Sequence, residues 1–394
     1  MNNALHCTFI TLSLLILAGC GTVTRNALPI EEYVDATFLD RHDLRYWGDS
    51  SRHENSGYSL VDYSEEEFKT RYAGVASQEH SYLAVSGGGA NGAYGAGALV
   101  GWSATGTRPE FTIVTGVSTG ALIAPFAFLG PDYDDTLKQI YTTLGTEKVF
   151  SIRSVFKILG SDGLVDTTPF SATLKEYVND DIIKKIATEY RKGRLLLIAT
   201  TNLDAGRPVI WNIGRIADSG HPNAPQMIRD ILRASASIPG AFPPVYLPVE
   251  ANGKSYDEMH VDGGASAQMF LYPSSLDWVD VMEALDVKGT PQAYLIRNSR
   301  VHPQYDPVSP RLSKIAARTI DSLIRTQGVG DAYRIYALAD RDGVDVSLTW
   351  IPKDAVEDIS DEPFDPDYMI KLFEYGYQRA LDGKLWTKLD IDQH

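Results

Sequence analysis

The pattern of apolar residues changes at Ser81, where short apolar runs begin to alternate with longer helical stretches. The run Tyr82–Ser86 predicts a buried strand, and Ala90–Ser103 after it predicts a helix of small residues. Phe111–Thr115 predicts a second strand, which enters a turn and then an apolar helix ending at Phe128. Two strand–turn–helix units in series predict a parallel sheet with helices on both of its faces.

The pattern continues through the rest of the chain. Apolar runs predict four further strands at 194–201, 208–213, 292–296 and 344–351. Helical spacing predicts helices at 64–72, 169–177, 224–236, 311–339 and 367–381, and the fourth is either continuous or broken at Gly328-Val329-Gly330. No linker rich in glycine or proline divides residues 81–394, so we interpret them as one domain.

Within the predicted helix 311–339, five residues keep helical spacing, so we expect this stripe to face the core: Leu312, Ile315, Thr319, Leu323 and Ile324. The apolar, glycine-interrupted segment 150–169 has two interpretations. It is either a cap over an acyl chain or a connection that packs on the core.

The N-terminus has the features of a lipoprotein signal. Residues 1–20 contain no Asp or Glu, and the apolar run Phe9–Leu17 is too short to span a bilayer. One departure is that the segment before this run lacks the Lys or Arg of an ordinary signal and has only the α-amino group and His6. Leu17-Ala18-Gly19-Cys20 resembles a bacterial lipobox, so we predict that residues 1–19 are removed and that Cys20 is acylated. The alternative is an ordinary signal peptide with an incidental cysteine. Residues 20–80 form a mixed segment with several acidic side chains, which we interpret as a tether with one short helix.

Cysteine usage and charge agree with a lipid anchor. Cys7 and Cys20 are the only cysteines, so the mature chain would have no internal disulfide. The net charge of −15 argues against nucleic acid as a partner and against adsorption of the whole protein to anionic lipid. We therefore expect the anchor to hold the protein in a bacterial envelope. Gly21 favours the outer membrane, facing the periplasm, because an aspartate there retains many lipoproteins at the inner membrane.

Three glycine-framed motifs carry the candidate chemistry. Gly87-Gly88-Gly89 precedes a predicted helix and can present backbone N–H groups to an oxyanion. Ser118 lies in Gly116-Val117-Ser118-Thr119-Gly120, a G-x-S-x-G motif between a strand and a helix, as a nucleophilic serine requires. Asp262-Gly263-Gly264 supplies a carboxylate that can act as the base, although Asp-Gly also forms simple turns. The ordered set predicts a serine acyl hydrolase.

Other readings of single motifs are weaker. The glycine loop also fits the dinucleotide pattern G-x-G-x-x-G, but Glu110 precedes the second strand instead of following it. His260 would lie on the same strand face as Asp262. It either influences the acidity of Asp262 or has a purely structural role. His302 and His394 are the only histidines beyond Asp262, as a histidine-dependent esterase would need. No metal-ligand spacing occurs, and the acidic residues of 354–367 lack the pattern of a calcium loop.

With these motifs, the chain resembles the patatin-like phospholipases from about Tyr82 to Phe270, and more loosely to the C-terminus. A further segment typical of the family, residues 233–239, precedes the aspartate. The resemblance implies a three-layer α/β/α sandwich with a mainly parallel central sheet, no cofactor, and phospholipids or related acyl lipids as substrates. It also implies a catalytic dyad of Ser118 and Asp262 without histidine, and an oxyanion hole at Gly87, Gly88 and Gly89. One departure is Asn91, where the family often has a basic residue.

Two rival functions stay open at this point. One is a histidine-dependent esterase of the α/β-hydrolase type, and the other is a catalytically silent lipoprotein that binds lipid. Turnover of a chromogenic ester separates the silent protein from both enzymes. The sequence leaves head group, acyl position and oligomeric state undetermined.

Overall fold

The computed structural model describes residues 25–49, 65–152, 163, 165–273, 276–303, 305, 307–356 and 362–388. The predicted signal peptide, Cys20 and His394 lie outside the described residues, as does most of the predicted cap 150–169.

Within these residues, ten strands form one sheet in the order β1-β7-β6-β3-β2-β10-β11-β12, with β9 pairing with β6 and β8 pairing with β9. Strands β4 and β5 form a separate pair. The strand bounds are β1 Arg45–Trp47, β2 Ser81–Val85, β3 Ile113–Gly116, β4 Ser151–Ile152, β5 Val165–Asp166, β6 Leu195–Asn202, β7 Arg207–Asn212, β8 Val245–Ala251, β9 Lys254–Asp262, β10 Gln292–Arg297, β11 Asp345–Trp350 and β12 Thr387–Lys388.

The centre of the sheet is parallel. Leu83 of β2 is in register with Val114 of β3 on one side and with Tyr294 of β10 on the other. The parallel pairing extends to β6 and β11, whereas the outer strands are antiparallel. The carboxyl ends of β2, β3 and β10 therefore meet at one edge of the sheet, where ligand sites of α/β proteins lie.

Twelve α-helices occur in the described residues. Their bounds are α1 Glu65–Arg71, α2 Gly92–Ala104, α3 Thr119–Leu129, α4 Asp134–Thr143, α5 Thr146–Val149, α6 Thr168–Tyr177, α7 Asp180–Arg191, α8 Ile213–Asp218, α9 Ala224–Ser235, α10 Trp278–Ala284, α11 Leu312–Asp342 and α12 Pro366–Leu381.

The helices cover both faces of the sheet. Alternate residues of β2 point to opposite sides, so Leu83 and Val85 join one core and Tyr82 and Ala84 join the other. The first core includes side chains of α2, α3, α4 and α12, and the second includes those of α1, α10 and α11. All eight residues of β6 are buried, which explains its continuous apolar run. This arrangement confirms the predicted α/β/α layers and the mainly parallel sheet.

Helices α2 and α12 pack closely through glycines. A side chain at Gly97 would place its Cβ 2.0 Å from the carbonyl oxygen of Phe373, and one at Gly376 would lie 2.4 Å from that of Tyr94. Such distances are far below van der Waals contact, so larger residues would force the two helices apart. The C-terminal helix thus supports α2, the helix that begins directly after the glycine loop.

Of the two alternatives for α11, the continuous helix is observed, because it runs without a break through Gly328 and Gly330. The expectation for its N-terminal stripe is wrong. The stripe is not core: Leu312 is 85% exposed and Leu323 is 65% exposed. The reason is the length of the helix, because only its second half lies against the sheet, where Ala339 is fully buried.

The predicted tether is partly built into the fold. Strand β1 pairs with β7, and Leu28, Phe38 and Leu44 belong to the first core. Arg45 forms a bidentate ion pair with the fully buried carboxylate of Glu258. Residues 25–49 therefore pack on the domain rather than lying apart from it. In the described part of the chain, no helix is long and apolar enough to cross a membrane.

Candidate active site

Ser118 lies on the sharp turn between β3 and α3. Its φ of 54° is in the left-handed region, which non-glycine residues rarely adopt. The flanking glycines permit this turn. A Cβ at Gly116 would lie 2.5 Å from the carbonyl oxygen of Gly120, and a Cβ at Gly120 would lie 2.1 Å from that of Val85. The strained turn holds Ser118 at the carboxyl edge of the sheet, as the G-x-S-x-G motif predicts.

Helix α9 fixes the backbone of this turn. The amide of Ser118 donates to the hydroxyl of Ser235 at 3.0 Å, and that hydroxyl donates to the carbonyl of Ala199 on β6 at 2.7 Å. The segment 233–239 also contacts Asp262, whose amide donates to the carbonyl of Ser237 at 2.9 Å. One short segment therefore positions both Ser118 and Asp262.

Asp262 ends β9 beside Ser118. Its carboxylate accepts a hydrogen bond from the amide of Gly264, with an Oδ1–N distance of 2.7 Å. The Ser118 hydroxyl is close enough to lower the pKa of this carboxylate. Gly263 is required between Asp262 and Gly264, because its Cβ would lie 2.5 Å from the carbonyl oxygen of Ala199. The structure thus brings together the serine and the carboxylate that lie far apart in the sequence.

The environment of Asp262 alters its acidity. Burial raises the pKa of Asp262 from 3.8 to about 7, against the hydrogen bonds from Ser118 and Gly264, which lower it. A carboxylate with a pKa near neutrality is a much stronger base than an exposed one. It can accept a proton from a hydroxyl group and return it at the same pH.

The glycine loop follows β2 and faces the Ser118 turn. A Cβ at Gly87 would lie 3.1 Å from Cβ of Ser118. The amide of Gly87 donates weakly to the carbonyl of Gln268 at 3.4 Å. The amides of Gly88 and Gly89 have no hydrogen-bond partner among the residues that the structure describes. Gly89 has a φ of 57° and faces open space. These two amides are available to a negatively charged oxygen.

Two buried polar residues that the sequence did not single out hold the loop. The Asn298 side chain donates to the carbonyl of Ser86 at 2.9 Å and accepts from the amide of Gly95 at 3.0 Å. The Gln268 side chain donates to the carbonyl of Gly264 at 2.8 Å. The only sequence signal for Asn298 is its position directly after β10, at the carboxyl edge of the sheet.

His260 forms its hydrogen bonds with residues other than Ser118 and Asp262. Its Nδ1 accepts from Thr200 at 2.9 Å, and its Nε2 donates to Glu258 at 3.0 Å, while the Trp211 indole donates to Thr200 at 2.8 Å. Burial lowers the pKa of His260, although Glu258 opposes this, so the ring is neutral with its proton on Nε2. His260 is thus a structural histidine. His302 is half-exposed and makes no contact with Ser118 or Asp262 among the described residues.

An apolar cavity of about 80 Å³ borders the site. Gly89 and Thr119 line it on the side of the glycine loop and the Ser118 turn. Its remaining walls come from α3, α4, α6 and α12, through apolar residues that include Leu122, Phe126, Ile140, Phe170, Leu174 and Met369. A long apolar group can enter this cavity while its polar end lies near Ser118.

Asn91 lies beside the glycine loop, where it accepts a hydrogen bond from the hydroxyl of Tyr368 at 2.6 Å. It therefore ties the loop to α12. Among the described residues, no group of three or more His, Cys, Asp or Glu side chains is arranged to hold a metal ion.

Comparison with known proteins identifies the domain. Residues 83–272, which include Ser118, Asp262 and the glycine loop, match the family model of the patatin-like phospholipases. No curated protein matches the chain. Among solved structures, the chain is similar to VipD from Legionella pneumophila, with 13% sequence identity and a TM-score of 0.33. That alignment covers 90% of this chain and 72% of VipD.

Proposed function

We propose, from the patatin-like phospholipase domain that this chain carries at residues 83–272, that it hydrolyses carboxylic esters of phospholipids or related acyl lipids. The domain itself indicates a lipid acyl hydrolase. The choice of Ser118 as nucleophile and Asp262 as base is supported above all by the closeness of their two side chains in a buried site.

The reaction follows from this geometry. The Ser118 hydroxyl oxygen attacks the ester carbonyl as its proton passes to Asp262, and the carbonyl oxygen becomes an anion that the amides of Gly88 and Gly89 stabilise. The tetrahedral intermediate expels the alcohol, which takes the proton from Asp262 and leaves an acyl-enzyme. Asp262 then removes a proton from water, which attacks the acyl group. As the bond to the Ser118 oxygen breaks, Asp262 returns the proton to that oxygen, and the fatty acid leaves.

The apolar cavity supports a lipid substrate. It adjoins both Gly89 and Thr119, so an acyl chain placed there has its carbonyl next to the proposed nucleophile. Each methylene group that leaves water contributes about 0.8 kcal/mol, which favours long acyl chains over short ones.

The histidine-dependent esterase is less well supported. His302, which such an enzyme could use, is half-exposed in the loop after β10. Both ring nitrogens of His260 are already bonded, to Thr200 and Glu258. The silent lipid-binding protein retains the same cavity but does not explain why a buried carboxylate is kept beside a strained serine.

The test is ester turnover together with labelling by a fluorophosphonate. The full-length protein should hydrolyse a chromogenic acyl ester and bind the probe at Ser118, and Ser118→Ala should lose both activities. Ser237→Ala is the matched control, because its hydroxyl bonds only to the carbonyl of Arg233 at 2.8 Å. A fully active Ser118→Ala variant would reject the proposal, and an inactive His302→Gln variant would favour the histidine-dependent esterase.

We also propose that Cys20 is acylated and anchors the protein in the bacterial envelope, at the outer membrane facing the periplasm. The lipobox-like sequence before Cys20 supports this. Cys20→Ser should release the protein from sedimented membranes at high salt, and unchanged sedimentation would exclude acylation as the anchor.

A further inference from the structure

Helix α11 consists of two halves with different surroundings. From Gly328 to Asp342 it lies against the sheet and contributes Ala332, Ile335 and Ala339 to the second core. No side chain described between Leu312 and Gln327 is buried. At 1.5 Å per residue, this first half is about 24 Å long.

The first half leaves the body of the protein beside the candidate active site. The helix ends near the amino edge of the sheet, where the amide of Asp345 donates to Pro291 just before β10. It passes the carboxyl edge at Arg325, whose carbonyl accepts from Arg297 at the end of β10 at 3.0 Å. Residues before Arg325 therefore project beyond the edge that carries Ser118.

Hydrogen bonds connect this crossing point to the proposed base. The Gln327 side chain donates to the carbonyl of Ser266 at 2.6 Å, and the Ser266 hydroxyl bonds to that of Thr201 at 2.8 Å. Thr201 donates in turn to the carbonyl of Asp262 at 3.0 Å. The exposed half of α11 therefore begins only a few hydrogen-bonded residues away from Asp262, the proposed base.

The exposed half is amphipathic. Leu312, Ile315 and Leu323 are 85%, 49% and 65% exposed and fall within one arc of the helix. Residues 311–325 also contain four basic side chains and one acidic side chain, in a protein with a net charge of −15. Lys314, Arg318 and Arg325 lie on the opposite side of the helix from the leucines at 100° per residue, and Arg311 directly precedes the helix.

We propose that residues 311–325, the docking helix, lie in the surface of an anionic lipid bilayer. The apolar arc would enter the acyl region, and the basic side chains would remain at the level of anionic head groups, as in other interfacial helices. The local positive charge is complementary to such a surface, although the protein as a whole is acidic.

The docking helix would bring the site to its substrate. It projects from the sheet edge that holds Ser118, so docking places that edge of the sheet next to the bilayer. The choice of a lipid surface as the occupant rests on the proposed function. The helix itself does not take part in the chemistry.

The test is binding to vesicles by the full-length chain carrying Cys20→Ser, so that no acyl anchor contributes. Vesicles of phosphatidylcholine with an equal part of phosphatidylglycerol are compared with vesicles of phosphatidylcholine alone. Leu312→Ser combined with Leu323→Ser should reduce partitioning into the mixed vesicles at least about tenfold. Arg311→Gln combined with Lys314→Gln should reduce it about fivefold per charge, and only with the anionic lipid.

The matched controls alter other exposed positions. Val279 on α10 and Leu381 on α12 are 37% and 43% exposed, so Val279→Ser combined with Leu381→Ser should bind vesicles like the parent. Parent-like melting temperatures verify that all of these variants fold.

Three results would overturn the docking helix. The first is a parent chain that does not bind the mixed vesicles, and the second is a leucine variant that binds them equally well. The third is a parent dimer in light scattering that the leucine variant dissociates, which would make this face a contact between two copies.

Hydrolysis of a water-soluble short-chain ester is measured in parallel. An inactive parent that still docks rejects the hydrolase alone, whereas active variants that dock normally reject the docking helix alone.

Discussion

The hydroxyl of Ser235 lies between the amide of Ser118 and the carbonyl of Ala199, at 3.0 Å and 2.7 Å. This residue is fully buried, so no water replaces its hydroxyl if it is removed. The bend that carries the proposed nucleophile is therefore fastened to the neighbouring strand by one side chain.

Ser235→Ala should lower kcat more than it changes KM. The substitution leaves a buried donor on Ser118 and a buried acceptor on Ala199 unpaired, and the strained turn can relax away from Asp262. We expect a loss of about tenfold or more in kcat, equivalent to about 1.4 kcal/mol. Steady-state kinetics check this, and Ser237→Ala should remain within about twofold of wild type. Equal losses in the two variants would show a general packing effect.

The activity should rise with pH through a midpoint near 7. Burial raises the pKa of Asp262 to about 7, and only its ionised form accepts the proton of Ser118. Below the midpoint kcat/KM should fall about tenfold per pH unit. The profile is measured with a short-chain ester that does not ionise in this range. A profile that is flat from about pH 5 to about pH 8 would contradict Asp262 as the base.

Asp262→Asn should abolish turnover and stabilise the protein at alkaline pH. Because the folded-state pKa of Asp262 exceeds its unfolded value of 3.8, the native state loses stability as pH rises from about 4 to about 7. Above that range the ionised side chain lowers the free energy of unfolding by about 4 kcal/mol. Asparagine does not ionise, so the variant avoids this loss of stability. The melting temperature of Asp262→Asn should therefore exceed that of wild type at pH 8 and match it at pH 4. The exposed control Asp345→Asn should not show this pH-dependent gain.

Arg45→Met should strongly destabilise the fold at neutral pH. Burial opposes ionisation of Glu258, but the charge of Arg45 and the hydrogen bonds from His260 and Arg45 lower its pKa to about 2. That stability is present above the ordinary pKa of 4.5 and is lost as pH falls towards 2. Loss of Arg45 leaves a buried charge unpaired, and we expect about 3–5 kcal/mol less stability at pH 7.

The effect of Arg45→Met should shrink near pH 4, where Glu258 protonates in the variant. Denaturant unfolding at pH 7 and at about pH 4 measures the difference in unfolding free energy between wild type and the variant. Arg41→Met is the control, because the Arg41 side chain is 40% exposed and pairs with Asp43 near the surface, where an ion pair contributes about 1 kcal/mol or less. Similar losses for both arginines would refute a special role for the buried pair.

Ile140→Trp should shorten the preferred acyl chain. Ile140 lines the apolar cavity on α4, and a larger ring fills space that a long chain would occupy. We expect kcat/KM for a long-chain ester to fall at least about tenfold relative to the acetate ester of the same phenol. Val279→Trp, on the far side of the sheet, should leave this ratio unchanged. An unaltered ratio in Ile140→Trp would place the acyl chain elsewhere.

The sequence predicted the sheet well where burial is complete. The strand predicted at 194–201 is observed at Leu195–Asn202, because a strand buried on both faces must be apolar at every position. Strand β8 was absent from the prediction, although Asn252-Gly253 is a strong hairpin signal between β8 and β9. The stripe on α11 was misjudged because helical spacing identifies an apolar face but not what covers that face.

The candidate site was only partly predictable. Ser118, Asp262 and the glycine loop are marked by local motifs, since each needs glycines beside it. No local sequence motif identifies the supporting residues Asn298, Gln268 and Asp331. Asp331 accepts from the amide of Gln268 at 2.7 Å, a contact between distant parts of the chain that exists only after folding.

The close packing of Gly97 and Gly376 has a consequence for when the candidate site is completed during synthesis. Helix α2 emerges from the ribosome early, whereas α12, against which it packs, is translated long afterwards. Contacts so distant in sequence form late. The helix behind the glycine loop therefore lacks its contacts with α12 throughout most of synthesis, and a nascent chain has its proposed nucleophile long before the loop is fully supported.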